Sequence, residues 1–129
     1  MNIPRKSDPE LLPADIATMR ETADMLLGPD ITPTAAPPPP EELDTITVML
    51  RGHLELLIAE ASAAIGYLPE TGVLRNCAVA CIGEARRKLA TGPSRRDGGP
   101  MAHARRLARV LRALCDHYEN AGAAVVPWR

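Results

Sequence analysis

Phenylalanine is absent from this chain of 129 residues, and its aromatic residues are one Trp and two Tyr. An interior built here must come from Leu, Ile, Val, Met and Ala, which bury less area apiece than rings do. Small side chains let helices approach closely, so a tight, thin bundle of modest stability is expected, without a roomy ligand cavity. Cysteine is scarce as well, with three in all. An odd count without a secretory leader fits free thiols in a reducing cytoplasm rather than a disulfide framework. Arg5 and Lys6 stand near the N-terminus, but Asp8, Glu10 and Asp15 follow where a leader needs an apolar run. Long hydrophobic runs are missing too. The greasiest window, Leu54 to Ile65, is broken by Glu55 and Glu60 and is too polar to span a bilayer. No membrane association is expected.

What the chain does have is apolar residues at helical period. Ala104, Leu107, Leu111, Leu114 and Tyr118 step by three and four, which lays one stripe down a helix with Arg105, Arg109 and Arg112 to its side. Leu43, Ile46, Leu50, Leu54, Leu57, Ala61, Ile65 and Leu68 keep the same period until Pro69 and Gly72. Glu41 and Glu42 suit the positive end of that helix. Gly52 and Gly66 weaken it by about 1 kcal/mol each relative to Ala, or mark close helix crossings. A third helix is expected from Val73 to Ala90, with Leu74, Ala78, Cys81, Ile82, Ala85 and Leu89 inward. Pro100 suits the first turn of the final helix, and the tail turns at Gly122 so that Val125, Val126 and Trp128 tuck back on the bundle.

Residues 1–13 read as a frayed start. Asp15, Ile16, Met19, Ala23, Leu26 and Leu27 then outline a short amphipathic helix, stopped by Gly28 and Pro29. Residues 28–40 form a Pro-rich linker in which Pro37 to Pro40 are expected to be extended and non-helical. The expected organisation is therefore residues 1–27, an N-terminal amphipathic helix; 28–40, a stiff linker; and 41–129, a helical bundle domain. The fold class is all-α: an antiparallel up-down three-helix bundle over residues 41–121, with the N-terminal helix either docked as a fourth member or swinging free.

Charge is divided along the chain. Residues 1–70 hold 4 Lys or Arg against 12 Asp or Glu, and residues 71–129 hold 11 against 4, so −8 faces +7. That split means either pairing inside one fold or a basic face kept for an anionic partner. Arg105 and Arg109, like charges one turn apart, call for a partner, and Glu55 or Glu60 is the expected one; Asp116 is expected to pair with Arg112.

Chemistry-bearing residues are sparse. Cys77 and Cys81 are four apart on a helix and Cys115 lies on the last stripe, but C-x-x-C and zinc-finger spacings are missing. The three thiols are read as small hydrophobes in an Ala-rich seam, so no metal and no cofactor is expected. No strand precedes Gly92, Gly98 or Gly99, which removes a phosphate loop. No elbow serine or activated cysteine supports nucleophilic catalysis, so no catalytic residue is named. Arg86, Arg87, Lys88, Arg95 and Arg96 could join the arginines of the last helix in a phosphate-binding face, yet the ten-residue connection is too long for a helix-turn-helix and stacking aromatics are missing. Among the histidines, His53 flanks the second stripe as an interface residue and His117 points to solvent. Arg51, His53, Glu84 and Arg86 are the polar residues expected nearest the junction of the second and third helices, and form the candidate ligand-binding set.

The segments RGHLELLIAEASAAI, CAVACIGEARRKL and HARRLARVLRALCDHYE resemble a family of small actinomycete proteins of unknown function, frequent in Streptomyces and labelled natural-product biosynthesis proteins. Arg51-Gly52-His53 and the run Cys81 to Arg87 carry the likeness, which covers residues 41–119. The resemblance implies a cytoplasmic accessory protein of a secondary-metabolite or regulatory locus and assigns no site residues. The leading expectation is a non-enzymatic helical protein acting through protein–protein interaction, with a protein partner or as a homodimer. Binding or turnover of a small molecule of a natural-product pathway is the alternative, and nucleic-acid binding through the basic C-terminal half is the second.

Overall fold

The computed structural model describes residues 15–28, 38–95 and 98–124, with side chains described through Gly122. Four helices make up the described chain: α1 (Ile16–Leu27), α2 (Pro40–Ile65), α3 (Val73–Ala90) and α4 (Gly99–Ala124). There is no strand among the described residues. The frayed start, most of the Pro-rich linker, Arg96 and the tail with Val125, Val126 and Trp128 lie outside them.

Helix α4 packs against each of the other three, α2 also packs against α3 and α1, and α1 does not meet α3. In cross-section the helices form a rhombus whose short diagonal is the α2–α4 pair. Its basis is the width of the apolar arc on α4. Leu107, Leu111 and Leu114 have no exposure at all, and Ala104, Ala108, Val110, Cys115 and Ala121 are buried beside them, so the arc is broad enough for three neighbours rather than one. Ion pairs run Arg20 to Glu119 and Asp24 to Arg112, which orders α1 antiparallel to α4. The all-α bundle holds, and α1 is its docked fourth helix.

Local chemistry explains the ends. The Asp15 carboxylate accepts from the Thr18 amide at 3.1 Å and caps α1, while Gly28 at φ 60° closes it by donating to Asp24 O. Helix α2 begins at Pro40, which corrects the expectation of an extended residue there. At the first helical position the missing N–H would have had no partner, so proline is tolerated. Gly98 and Gly99 both have positive φ at the entry to α4, and a Cβ on Gly98 would come within 2.7 Å of the Ala102 Cβ.

Arginines cap two C-termini across neighbouring helices. Arg75 Nη1 on α3 donates to the carbonyls of Ile65 and Leu68 at the end of α2, and Arg51 Nη2 on α2 donates to Leu89 O at the end of α3, at 2.8 Å. Each supplies a donor to carbonyls that the helix itself cannot satisfy.

Several expectations need correction. Leu74 is 42% exposed, because α3 buries fully only Ala78, Ile82 and Ala85. Gly52 has nothing within 4 Å and Gly66 meets only its own turn, so neither marks a helix crossing. Gly122 does not end α4, which runs on to Ala124. The acidic partners of the arginine face come from elsewhere than expected. Arg112 pairs with Asp24 of α1, Asp116 with Arg20 of α1, and among the described residues no ion pair joins Arg105 or Arg109 to Glu55 or Glu60. Helix α1 lies along that side of α4 and brings its own charges, and the Arg105 Nε is left buried without a hydrogen-bond partner.

Candidate functional site

Two concave features of the described surface bring polar side chains together. The larger is a cleft of about 530 Å³ at one end of the bundle, where α2, the end of α3 and the start of α4 converge. Asp44, Thr47, Val48 and Arg51 line it from α2, residues 89–93 from the end of α3, and Pro100 and His103 from α4. On α2 those four residues fall on one side because their spacing is close to one and two helical turns. His103 is only 4% exposed, and no hydrogen bond reaches its ring among the described residues. Burial pushes its pKa down, and the positive charges of Arg51, Arg106 and Lys88 add to that. Near neutral pH it is an uncharged imidazole, able to donate from one nitrogen and accept at the other.

The smaller feature is a shallow groove of about 300 Å³ between α3 and α4, lined by Cys81, Glu84 and Lys88 on one side and Arg106, Arg109, Val110 and Ala113 on the other. Small side chains floor it: Cys81, Ala113 and the edge of Val110. Glu84 accepts from Lys88 Nζ at 2.8 Å and Arg87 Nη2 at 2.6 Å, and those two bonds hold its carboxyl down at about 2. So acidic a carboxylate is a poor proton acceptor. Its role here is to hold Lys88 over the groove.

The candidate set drawn from sequence is not brought together. Arg51 lies in the end cleft. Glu84 lies in the α3–α4 groove, and Arg86 on α3 is exposed. His53 sits half-buried on the α1 side of α2, where its Nε2 is 3.1 Å from Thr22 Oγ1. The Thr22 hydroxyl donates its one proton to Thr18 O at 3.0 Å, so His53 Nε2 must be the donor to the hydroxyl oxygen. Burial lowers the pKa of His53, and Asp15 partly opposes that. It serves the α1 interface, not a catalytic pair.

Of the thiols, Cys77 is exposed, Cys81 half-buried and Cys115 buried, and burial pushes the Cys115 thiol up to about 11. No group of three or more His, Cys, Asp and Glu side chains is arranged to hold a metal ion among the described residues. Among the described residues, no helix is long and apolar enough to cross a membrane. Sequence reasoning named Arg51 but overlooked His103, Asp44, Thr47 and Val48. The signal was present in the spacing of the α2 residues and in a histidine one turn into α4 after Pro100.

A family model matches residues 17–123, from the second residue of α1 to the last turn of α4. The chain belongs to DUF6415, a family of unknown function. Because the matched span begins inside α1, the DUF6415 unit takes in the first helix along with the other three. No curated protein and no solved structure matches the chain.

Proposed function

We propose that this chain is a non-enzymatic accessory protein that works by holding an acidic amphipathic helix of a partner protein along the α3–α4 groove. The observation that carries the reading is the apolar floor of Cys81, Val110 and Ala113 between two helices that leave it uncovered. Leu74, two turns before Cys81 on the same side of α3, extends the strip and is 42% exposed. A helix laid in such a groove offers apolar side chains at steps of three, four and seven. The surrounding surface selects an acidic one. Arg109 on the rim is exposed, and the chain from residue 71 onward carries the +7 excess. On this reading the partner belongs to a cytoplasmic secondary-metabolite or regulatory assembly, which the resemblance to proteins labelled for natural-product biosynthesis supports.

The test is the mass of the protein isolated from its source under native conditions, compared with an Ala113→Glu variant. A stoichiometric complex of the 13.9 kDa chain with a second protein is expected. The variant, which adds a carboxylate to the groove, should release the partner while its melting temperature is retained. A bare monomer from native isolation refutes the reading. So does a complex that Ala113→Glu leaves intact. A dimer of the chain itself, broken by the same variant, replaces the partner with a second copy.

A further inference from the structure

We propose that the cleft at the end of the bundle is a binding site for a small monocarboxylic acid with an apolar body, held by Arg51 and His103. The site is independent of the α3–α4 groove and of what docks there. Its central observation is the ring of His103. Most of the His103 side chain is buried, but its ring nitrogens are not among the fully buried unpartnered atoms and no group of the described chain bonds to them, so they open on the cleft. A ligand atom there would replace solvent as the partner of either nitrogen.

The neighbouring charges determine what that atom is. Arg51 lines the same cleft, and its one hydrogen bond, from Nη2 to Leu89 O, leaves other guanidinium N–H donors available. A donor imidazole in one cleft with a guanidinium is a receptor for a carboxylate. Val48, Leu89, Ala90, Pro93 and Pro100 provide the apolar wall for the rest of the molecule.

Asp44 narrows the class further. It lines the cleft seven residues before Arg51, about 10 Å away along the axis of α2. A second carboxylate at that end of a ligand would meet a like charge. Monoacids are therefore favoured over diacids of the same length.

Hexanoate, adipate and hexanol separate these terms. The intact protein is titrated with each while the imidazole resonances of His103 and the amides of α2 are followed by NMR. Hexanoate should bind saturably in the millimolar range open to so small a probe, with adipate and hexanol each at least about tenfold weaker. Arg51→Gln should weaken hexanoate about tenfold or more. Because Arg51 also caps α3, a second variant is needed that spares the fold. Val48→Glu changes an exposed residue of the cleft wall and should likewise abolish hexanoate binding with the melting temperature kept. Equal affinity for hexanoate and hexanol overturns the proposal, as does a His103 signal that none of the probes moves. Unchanged hexanoate binding by Val48→Glu also overturns it. None of these outcomes bears on the groove, whose own variant lies on α4.

Discussion

Leu74 and Leu111 both stand on helical apolar stripes, and only their positions in the bundle separate them. Leu111 has no exposure and sits mid-way along α4, the helix that touches the other three, whereas Leu74 is 42% exposed on α3. Leu111→Ala removes apolar groups worth about 2.4 kcal/mol at ~0.8 per methylene. The cavity adds to this. If half of roughly 80 Å³ stays empty at ~24 cal/mol per Å³, the extra cost is about 1 kcal/mol. The sum, about 3.4 kcal/mol, is a large part of the roughly 5–15 kcal/mol that stabilises an ordinary domain. At about 4 °C per kcal/mol the melting temperature should fall by roughly 14 °C. Leu74→Ala, which deletes atoms already close to half in water, should cost about 1–1.5 kcal/mol. Urea unfolding of the three proteins measures both values. Equal costs for the two variants, or a Leu111→Ala cost near 1 kcal/mol, would refute the placement of α4 at the centre.

Acid should weaken the fold through its histidines. His53 and His103 both have pKa values lowered by burial, so the unfolded chain binds more protons just below pH 6.5, and stability falls as pH drops through that region. The urea midpoint should be lower at pH 5.5 than at 7.5, and His103→Gln should flatten the slope; a midpoint that rises on acidification contradicts it. Arg20 reaches Asp116 at 2.8 Å and Glu119 at 2.5 Å, but all three side chains are partly or largely exposed. Arg20→Met is accordingly expected to cost about 0.5–1 kcal/mol in dilute buffer and almost nothing in concentrated salt. Thiol labelling followed by mass spectrometry should show Cys77 reacting first, Cys81 more slowly and Cys115 only on unfolding. Simultaneous labelling of all three would contradict the burial of α4.

Helix α4 was legible because one rule, apolar residues three and four apart, holds along its whole buried side. Helix α3 was less so. Its leucines at 74 and 89 and its cysteines follow the same rule, but periodicity marks a face without saying which neighbour covers it. With only α2 and α4 against it, that face is covered along one edge. The partners of Arg112 and Asp116 were misassigned for a related reason. Sequence spacing ranks contacts within a helix, where residues four apart are adjacent, and contains nothing about the order of helices around a bundle. Once α1 docks against α4, Arg20 and Asp24 are the charges that reach Asp116 and Arg112. The cleft lay beyond the reach of spacing altogether. Its wall comes from the first half of one helix, the end of another and the start of a third, and only the chain's packing makes them neighbours.

The helix that all the others lean on is also the last of the four in chain order. Until it is made, α1, α2 and α3 can pack only along the α1–α2 and α2–α3 seams, and the faces they turn to α4 stay uncovered. The 26 residues of α4 take about 1–5 s to synthesise at ~5–20 residues per second. For that interval the faces that α4 covers on the other three helices are open to solvent, and the bundle closes only once α4 is made.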